Sequence, residues 1–312
     1  MKKLLLYALC AVLILCALPS CKASVETDAL KIVATNFPSY DFARQLTKDT
    51  GAEVTMLLSP GGESHSYDPT PQDIIRIGNA DVFVYVGGVS DTWASDVLSA
   101  ADNSSLAVFR LTDHAELARE EEGHSAEEVH DEHGEEEEYD EHVWTSPKNV
   151  MSICRALCDT LCEKDAENSS AYKANLDSYL AELEALDGDF RDTVAAGKHK
   201  TVVFADRFPL IYFAKEYGLD YYSAFPGCSS SVEASAATVA FLIDKVNEDK
   251  LPAVFHIELS GTDICETVAE ACGVQILQFN ACHNITATQF EEGATYISLM
   301  RENVEALRIA LG

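Results

Sequence analysis

Short apolar runs of β type recur along this chain, separated by stretches of helical period, and that alternation fixes the fold class. The runs occupy residues 31–37, 53–59, 81–86 and 106–111, and then 201–205, 220–225, 253–259 and 274–279. Strands that alternate with helices pair in parallel, with the helices covering the sheet faces. Two such groups predict an α/β protein of two Rossmann-like lobes, residues 29–165 and 197–312. Between them, Tyr172, Leu176, Tyr179, Leu183, Leu186 and Phe190 repeat at intervals of 4, 3, 4, 3 and 4. That is one apolar stripe on a long helix, so residues 166–196 are expected to form a spine joining the lobes. Thr70-Pro71 and Ser146-Pro147 mark helix starts, with a capping side chain before Pro at the first helical position. Thr288 and Glu291 have the spacing of a capping box.

The first twenty residues read as an export signal. Lys2 and Lys3 precede an uncharged, mostly apolar run at 4–18, too short to span a bilayer comfortably. Leu18-Pro19-Ser20-Cys21 then resembles a bacterial lipobox. Cleavage there leaves Cys21 as an acylated N-terminus, with residues 21–28 as a tether and the protein held outside the cytoplasm on a membrane. The chain is expected to be a monomer. Its 22 Lys and Arg face 52 Asp and Glu, a formal charge of -30. Nucleic acid is excluded as a partner on that ground, because a phosphate backbone requires cationic side chains, whereas metal cations suit an acidic chain. No Gly-rich Lys loop for nucleotide phosphates is present.

Half of that charge lies in one place. Residues 113–141 hold 15 acids and one base, together with His114, His124, His130 and His133. With few apolar residues and no period, the segment reads as a mobile loop. Histidines among carboxylates make those four a weak secondary collector of metal. Cys154, Cys158 and Cys162 share one helix face and read as small buried hydrophobes.

The remaining histidines are few. His65 follows the run 53–59, His142 lies just before the Ser146 cap, and His283 follows the run 274–279. Asp206 directly follows the run 201–205. In open α/β sheets ligands gather beyond the carboxyl ends of strands. Three imidazoles and one carboxylate suit a tetrahedral zinc ion, placed in the cleft between lobes. Glu258 stands near another strand end, as a supporting group or an alternative ligand, and His256 is weaker. Cys228 and Cys282 occupy strand-end loops of the second lobe, where a disulfide and two free thiols are both open.

The blocks Glu63-Ser64-His65-Ser66-Tyr67-Asp68-Pro69-Thr70-Pro71, Ala80-Asp81-Val82-Phe83-Val84-Tyr85-Val86-Gly87-Gly88 and Glu141-His142-Val143-Trp144-Thr145-Ser146-Pro147 resemble those of zinc and manganese ABC-transporter solute-binding proteins. The acidic, His-bearing segment is similar to that of the zinc-type members. Such a resemblance, covering nearly the whole mature chain, implies a non-enzymatic lipoprotein that captures zinc and delivers it to an ABC permease. Two positions depart from the pattern. Asp206 stands where the family has a third His, and His283 where it has an Asp. If Glu258 rather than His283 coordinates, the set becomes two His and two acids, closer to a manganese site. A metallohydrolase using His65, His142 and Asp206 is the second reading, although no His-Glu-x-x-His motif supports it. A surface adhesin or zinc buffer, in which residues 113–141 do the binding, is the third.

Overall fold

The computed structural model describes residues 29–101, 103–119, 139–227 and 234–312. The export signal, Cys21 and its tether, His124, His130, His133 and Cys228 lie outside these residues. The first lobe is built on a parallel sheet of β1 (Lys31–Ala34), β2 (Glu53–Met56), β3 (Val82–Tyr85) and β4 (Ala107–Arg110), in the order β2-β1-β3-β4. The second has β5 (Thr201–Phe208), β6 (Asp220–Pro226), β7 (Ala253–Ile257) and β8 (Gln275–Phe279), in the order β6-β5-β7-β8. Both sheets are parallel throughout. Each order puts the first strand beside two neighbours, so ligands are expected past the carboxyl ends of the central strands.

β1 stops at Ala34, earlier than its apolar run, because Asn36 caps the next helix. Its side chain accepts the Ser39 N–H at 3.2 Å, and Pro38 sits in the first turn of α1 (Phe37–Leu46). Thr70 caps α2 (Pro71–Gly78) in a reciprocal box with Asp73. After α3 (Ala94–Ala100), Ser146 caps α4 (Pro147–Lys164), accepting the Asn149 N–H at 3.3 Å. Cys154 and Cys158 lie buried on that helix, and Cys162 is half-buried.

The spine is α5 (Ser169–Ala196), 28 residues, or roughly 40 Å at 1.5 Å per residue. It buries Tyr172, Tyr179, Leu183, Leu186 and Phe190; Leu176 is only half-buried. The second lobe continues with α6 (Ile211–Tyr217), α7 (Ala236–Asp249), α8 (Asp263–Cys272), α9 (Ala287–Glu291) and α10 (Tyr296–Leu311). The box opening α9 pairs Thr286 with Gln289, not Thr288 with Glu291.

The lobes share a core. One buried cluster runs from Ile32, Val84 and Trp144 through Leu183 and Phe190 to Phe204, Phe279 and Tyr296. α10 returns to the first lobe, where Asp41 of α1 accepts the Tyr296 N–H at 2.8 Å. Arg44 of α1 donates to the Ala294 carbonyl at 2.7 Å. The sequence alternation carries no sign of this return.

Two expectations about loops are corrected. Asp206 does not follow β5 but lies inside it, at a register shift between Phe204 and Arg207. Residues 113–141 are not loop-like to their ends. Leu111–His114 forms a 3-10 turn, Arg119 bridges Tyr139, and Asp140 and Glu141 are fully buried.

Candidate metal centre

His65 leaves the first lobe in the turn after β2. The chain reverses at Ser59–Gly62, where the Gly62 N–H reaches the Ser59 carbonyl at 2.9 Å. A Cβ on Gly62 would meet that carbonyl at the same distance, so the tight turn requires glycine. The ring Nδ1 of His65 lies 2.9 Å from Ser90 Oγ and 3.2 Å from Glu141 Oε1. Ser90, in the 3-10 turn after β3, donates its hydroxyl to Glu141 Oε1 and its backbone N–H to Oε2 at 2.9 Å. Glu141 thus ties two strand-end loops to its own. A Cβ on Gly88 would collide with the Glu141 side chain, which explains that glycine.

His142 is fully buried. Its N–H donates to Asp140 Oδ1 at 2.8 Å, and its Nδ1 stands 3.1 Å from both Asp140 oxygens. Tyr212 of α6, from the other lobe, donates its hydroxyl to the Asp140 carbonyl.

His283 enters from the second lobe beyond β8. Glu258, beyond β7, accepts the Ala281 N–H at 2.6 Å and the His283 N–H at 2.8 Å, and stands 3.4 Å from His283 Nδ1. Cys282 between those two amides is held at φ 61°, a conformation costly for a side-chain-bearing residue. The same loop is fastened to the first lobe. Trp144 donates its indole N–H to the Ala281 carbonyl at 2.8 Å, and Asn284 donates to the Ser59 and Gly62 carbonyls at 2.8 and 2.9 Å.

The three imidazoles converge. One ligand atom from each of His65, His142 and His283 lies within 4.8 Å of the others. Ring centroids are separated by 5.4, 5.4 and 4.7 Å. Each Nδ1 faces a carboxylate, which turns Nε2 away from it. Nε2 of His283 is buried with no hydrogen-bond partner among the described residues. Such an atom costs free energy unless something occupies it, and carboxylate-backed imidazoles are the usual support of a metal ion.

The electrostatics agree. Burial pushes the His283 imidazole down to about 4, helped by the neighbouring His142 and His65, against the opposing pull of Glu258. It is therefore neutral and able to coordinate at physiological pH. Burial would raise Glu141, but His65, His142 and Ser90 outweigh it and hold the carboxyl at about 2.

Asp206 is not brought into this group. Its carboxylate accepts the Arg207 N–H at 2.7 Å and the Ile257 N–H at 3.0 Å, stitching the β5 shift to β7. Glu258 stands behind His283 rather than among the converging atoms. His256 turns Nδ1 to the Ile257 carbonyl at 2.9 Å, and His114 stacks on Phe109 with centroids 4.6 Å apart. The Cys228–Cys282 pairing lies outside the described residues because Cys228 does. Cys282 itself is buried, its thiol 3.7 Å from the Asn280 carbonyl.

Residues 32–310 match the family described as zinc-uptake complex component A, periplasmic. The chain belongs to this family. It is 30% identical to the zinc-binding lipoprotein AdcA of Streptococcus pneumoniae over 99% of its own length and 61% of that protein's. It therefore spans about three-fifths of the length of the AdcA relatives. It is 29% identical to the high-affinity zinc uptake system protein ZnuA of Bacillus subtilis, over 95% of this chain and 92% of that one. The crystal structure of the Zn(II)-bound ZnuA-like domain of S. pneumoniae AdcA superposes with a TM-score of 0.75 at 27% identity. That match covers 91% of this chain and 99% of that one.

Within this family fold, sequence reasoning missed Asp140, Glu141, Ser90 and Trp144. Asp140 and Glu141 were hidden in an acidic run, where nothing in composition separates two buried acids from thirteen others. The one available signal was their adjacency to His142.

Proposed function

We propose that this chain captures zinc outside the cytoplasm and delivers it to the permease of an ABC-type importer, anchored as a monomer through acylated Cys21. The observation that carries the reading is the convergence of His65, His142 and His283, each backed by a carboxylate, where the lobes meet. Imidazole donors favour zinc, whereas manganese and magnesium prefer sites rich in carboxylate and water. The relatives named for zinc binding and zinc uptake support the same choice. His124, His130 and His133, with the acids around them, add weak metal binding alongside this site. The protein acts as a carrier: among the described residues, the buried carboxylates at the site orient histidines and backbone, and none of them is placed as general base for a metal-bound water.

Zinc titration against a chromophoric chelator tests this. The expected result is one tight equivalent per chain, weaker manganese binding, and a tight phase that survives deletion of residues 120–138. Loss of the tight phase on that deletion would instead support a zinc buffer. Tighter manganese than zinc would overturn the metal assignment.

A further inference from the structure

Three imidazoles are neutral donors, so a zinc ion held by them keeps its full double charge and one open tetrahedral position. The buried carboxylates nearby are committed to other partners. Glu258 accepts two backbone N–H groups, Asp206 accepts two, Glu141 is held by Ser90, and Asp140 by His142. The exposed carboxylate, Glu63, accepts the His65 N–H at 3.3 Å and pairs with Arg207 across the lobes at 3.4 Å.

A cavity of about 110 Å³ lies against His65 and His283, lined also by Gly62, Ser64, Arg207 and Glu258. Its volume is well above the roughly 10–15 Å³ that one water needs. Two donors border it. The Ser64 hydroxyl is buried with no hydrogen-bond partner among the described residues. The Arg207 side chain is 15% exposed and meets Glu63 only at that long distance, with Asp206 farther off at 4.0 Å. A guanidinium fixed beside a divalent cation is repulsive unless negative charge stands between them. Its planar fork matches a trigonal oxyanion.

We propose that a small oxyanion of the carbonate class completes the zinc site. One of its oxygens takes the open metal position, and the others accept from the Arg207 guanidinium and the Ser64 hydroxyl. The chain would then bind zinc and anion together, each strengthening the other. This inference rests on the zinc reading above.

Zinc affinity, measured by chelator competition in carbon-dioxide-free buffer with and without millimolar bicarbonate, tests it. The intact protein should bind zinc about 10-fold more tightly with bicarbonate, and the visible bands of its cobalt(II) form should shift on adding it. Arg207→Met should lose both responses. Glu63→Gln, which frees the guanidinium, should deepen the bicarbonate dependence. Tight zinc binding indifferent to bicarbonate in the intact protein would overturn the anion and leave the zinc reading standing. An equal bicarbonate response in Arg207→Met, or none in Glu63→Gln, would also overturn it. Absence of any tight zinc phase would remove both.

Discussion

The two lobes hold their histidines by different means. In the first lobe, His65 and His142 sit in a web of side chains: Ser90, Glu141 and Asp140 tie three strand-end loops together, and the second lobe adds only backbone-carbonyl contacts to it, such as Tyr212 at Asp140. In the second, His283 rides on a strained backbone turn that one carboxylate, Glu258, grips at two amides. That turn also makes three hydrogen bonds to first-lobe groups through Ala281 and Asn284. The first lobe therefore offers a preformed half-site. The second delivers a single ligand whose position depends on both lobes, which couples metal capture to the way the lobes meet.

The largest effect should come from the half-site. His65→Ala or His142→Ala should each weaken zinc by more than the roughly 100-fold that marks the upper range for a supporting group. Chelator competition showing near-intact affinity for either variant would break the comparison at its base.

The supporting carboxylates come next. Glu258→Gln should cost toward the upper end of about 10- to 100-fold in zinc affinity, and Glu141→Gln toward the lower end. Among the described residues Glu258 is the polar partner at the His283 Nδ1, whereas the His65 Nδ1 keeps Ser90 when Glu141 is neutralised. The reverse order would show that the web, not the two-point grip, is the fragile part.

Acid should expose the same asymmetry in the metal-free protein. His283 has its proton affinity lowered by burial to about 4, against 6.5 in the unfolded chain. Between those values the unfolded state binds a proton that the native state does not, so stability falls as pH falls. The loss should reach about 2 kcal/mol between about pH 6.5 and pH 5. Glu141, lowered to about 2 from 4.5, adds a further loss only below that window. Urea unfolding should show this slope, reduced in His283→Gln; an equal slope in that variant would place the sensitive group elsewhere.

The smallest effect should follow Trp144→Phe, which keeps the ring beside His142 and His283 but removes the indole N–H from the Ala281 carbonyl. A net hydrogen bond of about 1 kcal/mol predicts a several-fold loss of zinc affinity. An affinity unchanged within error would mean that Glu258 and Asn284 hold the turn without the indole.

The fold class was legible because strand and helix periods differ and the two groups of four runs stand apart. The return of α10 to Asp41 was not, since a helix that closes a distant contact looks like any other amphipathic helix. His65, His142 and His283 could be picked out because each stands in a loop beyond a strand. Asp206 was misplaced by a local cause: the run 201–205 loses its apolar character at Asp206, yet β5 continues through a register shift to Phe208. A buried acid answering two backbone amides reads in sequence like an exposed one in a loop. Arg207 was passed over as the residue next to the expected ligand, although it is the one that borders the cavity.

Three imidazoles, two from one lobe and one from the other, are expected to hold the metal. Zinc-edge X-ray absorption on the zinc-loaded protein tests it directly. Three imidazole nitrogens per zinc at about 2.0–2.1 Å, falling to two in His283→Gln, is the predicted result. A zinc with two imidazoles in the intact protein, or with three that persist in His283→Gln, would contradict it.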